Sequence, residues 1–362
     1  MVLEWYGATS EVPWLFLLAA WIFALVVVAY FYGLWNRAGL RLRLEVAGTR
    51  PVAGSPLEDL AEQLLRTAPL PAPIFEGDGM TLEIGLDNAG ASRGPAWLRG
   101  HLGVRGIAAG TGIVPRSGWR REEAADALRR GPVGATSWQV VSSDPLGFFR
   151  NTRRCADSEV ALVLPRFASL VSRPQARDLE ASVAAPRAGS GTELFGVREY
   201  RAGDALRRIH WRASARHGEL VVREFEPPGV QTLGIFCDPM PANGDVADQI
   251  ARLAASEAWD CVREGGRVML WAPGLEPSLP AEARSFWSLL EWLARYPSEP
   301  ARGGSDAPLV GEAVAVTGSA SVALVEALET VRSRGGRIRA WAVGDAPLDV
   351  EPVRRVGTEW PL

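Results

Sequence analysis

The sequence contains no lysine, so arginine supplies all 39 of its basic residues. This absence excludes a P-loop lysine, a Schiff base and a Ser–Lys dyad. Cysteine and histidine are scarce, with three of each. Cys155, Cys237 and Cys261 form no C-x-x-C pair and are odd in number, which is typical of a reducing compartment and argues against a disulfide framework. Three histidines also argue against a histidine-rich metal centre, and we predict no metal and no other cofactor.

An excess of positive charge is missing as well. The net charge is −3 and the isoelectric point is near 5.8, which gives no electrostatic case for nucleic acid as a partner. The chain of 362 residues is 47% hydrophobic and 22% charged, an ordinary globular composition. Its length is sufficient for two domains of typical size.

What the sequence does have is a long uncharged run near its start, Trp14–Leu34. At about 1.5 Å per residue, a helix of this length spans roughly the 30 Å of a bilayer's hydrocarbon core. A signal peptide is the competing interpretation, but the flank before the run carries Glu4 and Glu11 and no basic residue, and no A-x-A site follows. We therefore predict a transmembrane anchor in residues 1–36.

The flanks of this run predict its orientation. Arg37, Arg41 and Arg43 follow it, and no basic residue precedes it. Because positive residues are enriched on the cytoplasmic side, we expect a single-pass protein of the inner (plasma) membrane, with its N-terminus outside and its C-terminal domains in the cytoplasm.

Residues 37–165 have the pattern of a small antiparallel β-sandwich-like domain, with short alternating segments separated by Gly, Asn and Pro. The predicted strands are Leu40–Val46, Met80–Leu86, Trp97–Val104, Ala135–Val141 and Leu162–Pro165. Helices are predicted at Pro56–Thr67 and at the charged segment Trp119–Arg130. Asp144–Pro145 predicts a turn, and we expect Leu146, Phe148 and Phe149 to pack behind it.

Residues 231–362 alternate between apolar strands and amphipathic helices, which is typical of a parallel sheet covered on both faces. We therefore predict an α/β, Rossmann-like domain. Its predicted strands are Thr232–Cys237, Val268–Trp271, Ala313–Val316 and Ile338–Val343, and its predicted helices are Asp245–Arg263, Phe286–Tyr296 and Val322–Arg332.

Residues 166–230 hold a Gly-, Pro-, Ser- and Ala-rich linker followed by a dense set of charges. We expect strands at Val197–Tyr200 and Leu220–Phe225, with a short helix from Ala205 between them. Charges beside apolar neighbours need partners, so this set is either an internal salt-bridge cluster that fastens two domains together or a docking or regulatory surface. Its candidate residues are Arg198, Glu199, Tyr200, Gly203, Asp204, Arg207, Arg208, His210, Trp211, Arg216 and Glu224.

The pattern R-E-Y-x-x-G-D-x-x-R-x-I-H-W-x-x-S-A-R, followed by L-x-V-x-E, resembles the signature of the bacterial family called domain of unknown function 58. EGDGMTLEIGLDNAG and SDPLGFFR are similar to two further phrases of that family. The resemblance implies a membrane-anchored β-rich region joined to an α/β domain similar to a von Willebrand factor A domain. Such a domain implies a D-x-S-x-S metal site, but after Asp238 the two serine positions are Met240 and Ala242, so we expect Asp238 to cap a turn rather than bind Mg²⁺.

Family members are often encoded beside MoxR-type AAA+ ATPases, so the resemblance also implies a protein partner. We predict a membrane-anchored scaffold or adaptor without enzymatic activity, acting with such an ATPase or other membrane-complex proteins in complex assembly or a cell-envelope process. No small-molecule substrate is evident. The alternatives are a hydrolase or transferase that uses His210 with Asp204 or Glu224, and a metal-dependent adhesion domain.

Overall fold

The structure is a computed structural model. It describes residues 13–58, 60, 65, 68, 73–127, 129–170, 232–275, 286–297, 308, 310–319, 321–344 and 352–360, together with the backbone of 194–199 and 221–225. The chain divides into two compact units. The first comprises Met1–Arg166 and Leu290–Tyr296, and the second comprises Phe167–Leu289 and Pro297–Leu362.

The first unit begins with the long helix α1, Pro13–Arg37. Its apolar side chains are largely exposed, among them Leu17, Trp21 and Phe23. By length and composition α1 could cross a membrane. The predicted apolar helix is confirmed.

Two sheets follow α1 in the first unit. One has three antiparallel strands in the order β1–β3–β6, and the other has the order β2–β9–β7–β4–β5, with β8 paired to β7. The strands are β1 Leu40–Arg50, β2 Ile74–Phe75, β3 Gly79–Asn88, β4 Ala96–Leu102, β5 Arg105–Thr111, β6 Trp119–Asp126, β7 Gly131–Ser143, β8 Arg150–Arg154 and β9 Ser158–Leu164. All five strands predicted for this region are present, several of them longer than predicted.

The two sheets share one apolar core, because alternate residues of their strands point to the same side. Trp138 of β7 lies at its centre, 1% exposed, and its indole N–H donates to the carbonyl oxygen of His101 at 2.9 Å. The indole lies against Gly100, where any side chain would collide with the ring. A bulky side chain on β7 is therefore accommodated by a glycine on the neighbouring strand.

The helix predicted at Trp119–Arg130 is wrong, because Trp119–Asp126 forms β6 and pairs antiparallel with β3. Its charged residues are individually good helix formers, but helix propensities differ by only a few tenths of a kcal/mol. Cross-strand pairs outweigh that preference here. The Arg120 guanidinium of β6 lies 2.9 Å from the Glu83 carboxylate of β3, the strand that β6 pairs with.

The helix predicted at Pro56–Thr67 begins as a 3₁₀ turn, Pro56–Glu58, and most of its remainder lies outside the described residues. The turn before it is held by the buried carboxylate of Asp78. That carboxylate accepts hydrogen bonds from the Ser55 hydroxyl at 3.0 Å and from the Phe75 backbone N–H at 3.1 Å. Asp78, which lies in the EGDGM phrase, therefore joins the segment after β1 to the end of β2.

The second unit contains a parallel sheet in the order β13–β12–β14–β15–β16, as the alternating pattern predicts. The sequence analysis missed β16. The strands are β12 Thr232–Cys237, β13 Arg267–Trp271, β14 Glu312–Thr317, β15 Arg337–Val343 and β16 Val353–Val356; the helices are α2 Gly244–Arg263, α3 Phe286–Arg295, of which the residues from Leu290 are counted with the first unit, and α4 Val322–Ser333.

Helix α2 begins where Asn243 caps it, its side-chain oxygen accepting from the Val246 N–H at 2.9 Å. Ile250, Leu253 and Ala254 are fully buried on its apolar face. In chain order the strands read 2-1-3-4-5, so the direction of winding reverses between β12 and β14. Open sheets of this order bind ligands at the carboxyl ends of the strands beside that reversal.

Candidate functional site

Two strands of the second unit frame the charged signature: β10, Leu194–Glu199, and β11, Val221–Phe225. Both strands are predicted from the sequence, and the structure shows that they pair antiparallel, with Glu199 opposite Val221 and Gly196 opposite Glu224. The backbones of Arg198, Glu199 and Glu224 therefore lie in one ladder. The other candidate residues lie outside the described residues: Tyr200, Gly203, Asp204, Arg207, Arg208, His210, Trp211 and Arg216.

The register of this strand pair brings the two ends of the signature together. Directly opposite residues of an antiparallel pair have Cα atoms about 5 Å apart, so Glu199 and Val221 are neighbours in the ladder. This placement is compatible with either role given to the charges in the sequence analysis, a cluster between domains or a docking surface. The choice between them remains a prediction.

The carboxyl edge of the parallel sheet carries a buried carboxylate, Asp238, directly after β12. Its Oδ1 accepts from the Met240 N–H at 3.0 Å, which closes a turn of the kind expected. Its Oδ2 accepts from the hydroxyls of Thr317 at 3.1 Å and Ser319 at 2.7 Å, and from the Gly318 N–H at 3.1 Å. Asp238 thus joins the ends of β12 and β14 at the reversal point of the sheet.

Sequence reasoning missed Thr317 and Ser319, which contact Asp238 from 79 and 81 residues along the chain. The available signal was a T-G-S sequence directly after an apolar strand. The side chain of Met240, at one of the positions where the metal-site pattern has serine, is 80% exposed. In the ranges that the structure describes, no group of three or more His, Cys, Asp or Glu side chains is placed to hold a metal ion.

The opposite side of this sheet has a pocket of about 650 Å³ near the amino ends of its strands. Glu257 of α2 lies in its wall, 3% exposed, and accepts from the Trp341 indole N–H at 2.6 Å. Arg339 also pairs with Glu257, with an N–O distance of 2.9 Å, and approaches Glu312 at 3.6 Å. The lining of the pocket therefore contains an ion pair whose carboxylate is buried and whose guanidinium is exposed.

Burial controls the acid–base chemistry of this pocket. It raises the pKa of Glu257 above its ordinary value, although the nearby Arg339 charge acts in the other direction. Burial, with the charges of Glu264 and Glu312, raises the pKa of Cys261 to about 11. The Cys261 thiol is therefore protonated near neutral pH and is a poor nucleophile.

A third polar centre lies in the first unit, where α1 meets the sheets. Asn36, one residue before the end of α1, is fully buried. Its amide donates to the carbonyl oxygens of Ser143 at 2.9 Å and Pro95 at 3.2 Å, and its oxygen accepts from the Gly94 N–H at 2.6 Å. Three hydrogen bonds of one side chain therefore fasten the helix to the segment before β4 and to the last residue of β7, and sequence reasoning did not identify them.

The turn predicted at Asp144–Pro145 is confirmed. The buried Asp144 carboxylate accepts from the backbone N–H of Leu146 at 2.9 Å and of Phe149 at 2.6 Å. The expectation that the apolar residues pack behind this turn is wrong for two of them, because Leu146 is 56% and Phe148 57% exposed. The Asp144 carboxylate accepts from backbone N–H groups of the turn, and the side chains of Leu146 and Phe148 point to the surface. The ring of Phe149 packs against Tyr30 of α1.

Comparison with known proteins bears on the second unit. Residues 196–307 match the family model described as "Protein of unknown function DUF58". Over these residues the chain is similar to the DUF58 family. Over 153 residues it is 24% identical to the "Uncharacterized protein YeaD" of Bacillus subtilis (strain 168), an alignment that covers 41% of this chain and 38% of that relative.

A solved structure similar to the chain is a cycloisomaltooligosaccharide glucanotransferase of Paenibacillus sp. in complex with cycloisomaltoheptaose. The identity is 10%, and the match covers 75% of this chain and 43% of that one with a TM-score of 0.16. A score this low carries no argument about fold or activity.

The DUF58 match has a definite place in the fold. It begins in β10, includes the charged signature and runs past Asp238 and Glu257. Thr317 and Ser319 lie beyond its end, and the junction around Asn36 lies before its start. The hydroxyl partners of Asp238 and the attachment of α1 are therefore features of this chain outside the matched DUF58 residues.

Proposed function

We propose that the protein is a membrane-anchored scaffold or adaptor whose folded units lie in the cytoplasm. The observation that carries this proposal is the attachment of α1. An exposed apolar helix long enough to cross a bilayer ends in a buried amide, Asn36, that makes three hydrogen bonds to the β-rich unit. A helix fixed in this way holds the folded unit beside the membrane instead of serving as a loose tether.

The orientation and the finer fold belong to the same proposal. Arg37, Arg41 and Arg43 follow the apolar run, which favours a cytoplasmic position for everything after it. We further propose that the two sheets of the first unit form a small sandwich and that the second unit is von Willebrand A-like. Their short antiparallel strands and five-stranded parallel sheet support these assignments.

For the partner, we propose a MoxR-type AAA+ ATPase or another protein of a membrane complex. The support is the family resemblance together with the dense arginine and carboxylate set on the segment that joins β10 to β11. Arginine binds carboxylates through two parallel hydrogen bonds, so such a set is suited to recognising an acidic protein surface.

Affinity purification of the tagged full-length protein from its native membranes, followed by mass spectrometry, tests this function. We expect an AAA+ ATPase to be recovered with the wild type and to be lost with Arg208→Ala at unchanged melting temperature. A lowered melting temperature in Asp204→Ala or Arg208→Ala would instead assign these residues to an internal cluster. Arg116→Ala is the matched control, an exposed arginine of the first unit.

The same preparation separates the scaffold from an enzyme. A His210→Ala variant that keeps its fold and its partner but loses a measurable turnover would favour the hydrolase or transferase. Protease protection in sealed vesicles tests the topology, since we expect the folded units to be digested only from the cytoplasmic side.

A further inference from the structure

An exposed apolar surface lies where the first unit meets α1. We call the segment Pro145–Phe149 the Asp144 loop, after the carboxylate that holds it. It exposes more than half of the side chains of Leu146 and Phe148. Single exposed apolar residues are common on protein surfaces, but here two of them lie within three residues on one tight loop. Their position relative to α1 therefore matters.

The Asp144 loop lies beside the apolar part of α1, not beyond its end. The ring of Phe149 packs edge-to-face on Tyr30, with centroids 5.5 Å apart. One turn further along α1, a side chain at Gly33 would lie 3.0 Å from the Asn151 amide and 3.7 Å from Phe149. For a rise of 1.5 Å per residue, Tyr30 lies about 6 Å before Leu34, where the uncharged run ends. The loop therefore lies level with the last turns of the apolar run.

The position of the Asp144 loop relative to α1 is fixed at two points. Asp144 binds the N–H groups of Leu146 and Phe149 and so fixes the loop's own shape. Asn36 binds the carbonyl oxygen of Ser143, the residue just before the loop. The helix and the loop are thus joined through one residue, and the loop's depth follows from the depth of the helix.

The charges around the Asp144 loop match a lipid surface. Asp144, the residue just before the loop, is buried, whereas Arg150, the residue just after it, and Arg37 at the end of α1 are exposed. Trp97, 44% exposed, lines the same depression as Leu146 and Arg150. Apolar side chains with a tryptophan and arginines at their margin are the composition that enters the headgroup–acyl boundary.

We propose that the Asp144 loop is a second membrane contact, in which Leu146 and Phe148 enter the interfacial layer of the same bilayer that α1 crosses. The occupant of this apolar surface is lipid, with the arginines at its margin facing anionic headgroups. The loop and α1 together hold the first unit in one orientation on the bilayer. This inference rests on the proposed membrane anchoring, because the loop's depth is set by α1.

Spin-label accessibility in vesicles tests the inference on the full-length chain. Cys155, Cys237 and Cys261 are replaced by alanine, and nitroxide labels are attached to single cysteines introduced by Leu146→Cys, Val104→Cys or Leu25→Cys. The protein is reconstituted in vesicles of phosphatidylcholine with a minority of phosphatidylglycerol. Collisions are then measured with oxygen, which concentrates in lipid, and with a nickel chelate, which stays in water.

Val104 provides the matched control, because it is an exposed apolar residue on the turn between β4 and β5. The other end of that hairpin, at Ala96, pairs with Ser142 beside the Asp144 loop. At about 3.3 Å per residue, the length of β4 separates the two sites by roughly 20 Å. Leu25 lies in the middle of α1 and reports whether the helix is in the bilayer.

We expect the oxygen-to-nickel ratio at Leu146 to lie well above that at Val104 and below that at Leu25, as for a side chain in the interfacial layer. A lipid-like ratio at Leu25 with a water-like ratio at Leu146 would overturn the inference and leave the anchoring intact. A water-like ratio at Leu25 would reject the anchoring and the inference together. Low collision rates with both reagents at Leu146 would indicate a protein cover, and would also overturn it.

A second measurement requires no change to the native cysteines. A benzophenone amino acid at position 148 should crosslink to phospholipid in the vesicles, and the same group at position 104 should not. Crosslinking to a second copy of the chain at position 148, or equal lipid crosslinking at both positions, would contradict a lipid contact made by the Asp144 loop.

Discussion

Each unit contains a buried aspartate followed by proline, and the two turns differ in where their hydrogen bonds come from. In both turns the carboxylate accepts from the backbone N–H two residues on, Leu146 after Asp144 and Met240 after Asp238. In both, that residue is apolar and exposed. The second turn then recruits the hydroxyls of Thr317 and Ser319 from another strand, whereas the hydrogen bonds of the first are to residues within its own loop.

Because their hydrogen-bond partners differ, the two aspartates stabilise different parts of the fold. Asp144 fixes the shape of one surface loop, and its donors can turn to water if the carboxylate is removed. Asp238 joins two strand ends, and its partner Thr317 is fully buried, so water cannot replace it. The first turn is therefore a local device and the second a tertiary one, although their sequences, D-P-L and D-P-M, are nearly alike.

The largest effect is expected from Asp238→Ala. It removes a carboxylate that accepts from the N–H groups of Met240 and Gly318 and from the hydroxyls of Thr317 and Ser319. The Gly318 N–H then lacks this acceptor, whereas the Thr317 hydroxyl still has the Ser319 carbonyl oxygen, and the link between the two strand ends is lost. We expect a loss of roughly 3 kcal/mol in local stability. Hydrogen–deuterium exchange of peptides containing Met240 and Gly318 measures it. Both peptides should exchange faster, and an increase confined to Met240 would show that the link between strands is dispensable.

A smaller effect is expected from Asp144→Ala. Its donors lie within five residues and close to solvent, so we expect the loop's opening free energy to fall by about 1–2 kcal/mol, with little change elsewhere in the first unit. Exchange at the amides of Leu146 and Phe149 reports the loop, and exchange in β3 serves as the internal control. Faster exchange throughout β3 would contradict a purely local role for Asp144.

Acid should open the Asp144 loop only at a pH below the ordinary range for an aspartate. Burial alone would raise the pKa of Asp144, but the backbone N–H groups of Phe149, Leu146 and Phe148 outweigh it, and the pKa lies below its ordinary value of 3.8. A lowered pKa means that the charged form is favoured in the folded loop. Its stabilisation is therefore complete above 3.8 and is lost as the pH falls through the folded-state pKa.

Amide exchange at Leu146 and Phe149 across the acid range, corrected for intrinsic rates, measures this loss. The Asp144→Asn variant is the control, because its side chain does not titrate. Equal acid sensitivity of the wild type and the variant would exclude Asp144 as the titrating group.

Local sequence patterns are sufficient to predict most of the helices and strands of both units. Alternation and apolar runs predict α1, the strands of the first unit and nearly all of the α/β series, because burial of one face is written in local periodicity. Both Asp-Pro turns are predictable for a different local reason, the preference of Asp and Pro for turns. The charged strand β6 was not, because its pairing with β3 depends on a partner far away in the chain.

The hydrogen-bond partners of buried polar side chains could not be predicted from local sequence patterns either. Nothing near Asn36 in sequence indicates that its amide reaches Pro95 and Ser143, and nothing near Asp238 indicates Thr317 and Ser319. The prediction that Leu146 and Phe148 pack behind the turn was wrong, because both side chains are exposed. It rested on the general expectation that an apolar residue of a folded unit faces the core.

The smallest effect on folding is expected from Leu146→Ser and Met240→Ser, which change the exposed apolar residue of each turn. Both side chains are more than half exposed, so each substitution should alter the free energy of unfolding in detergent by no more than about 0.5 kcal/mol. The two should differ once the protein is in vesicles. There, if the Asp144 loop contacts lipid, Leu146→Ser should speed amide exchange in that loop while Met240→Ser behaves as it does in detergent. Equal behaviour of the two variants in both media would mean that the exposed leucine, like the exposed methionine, is an ordinary surface residue.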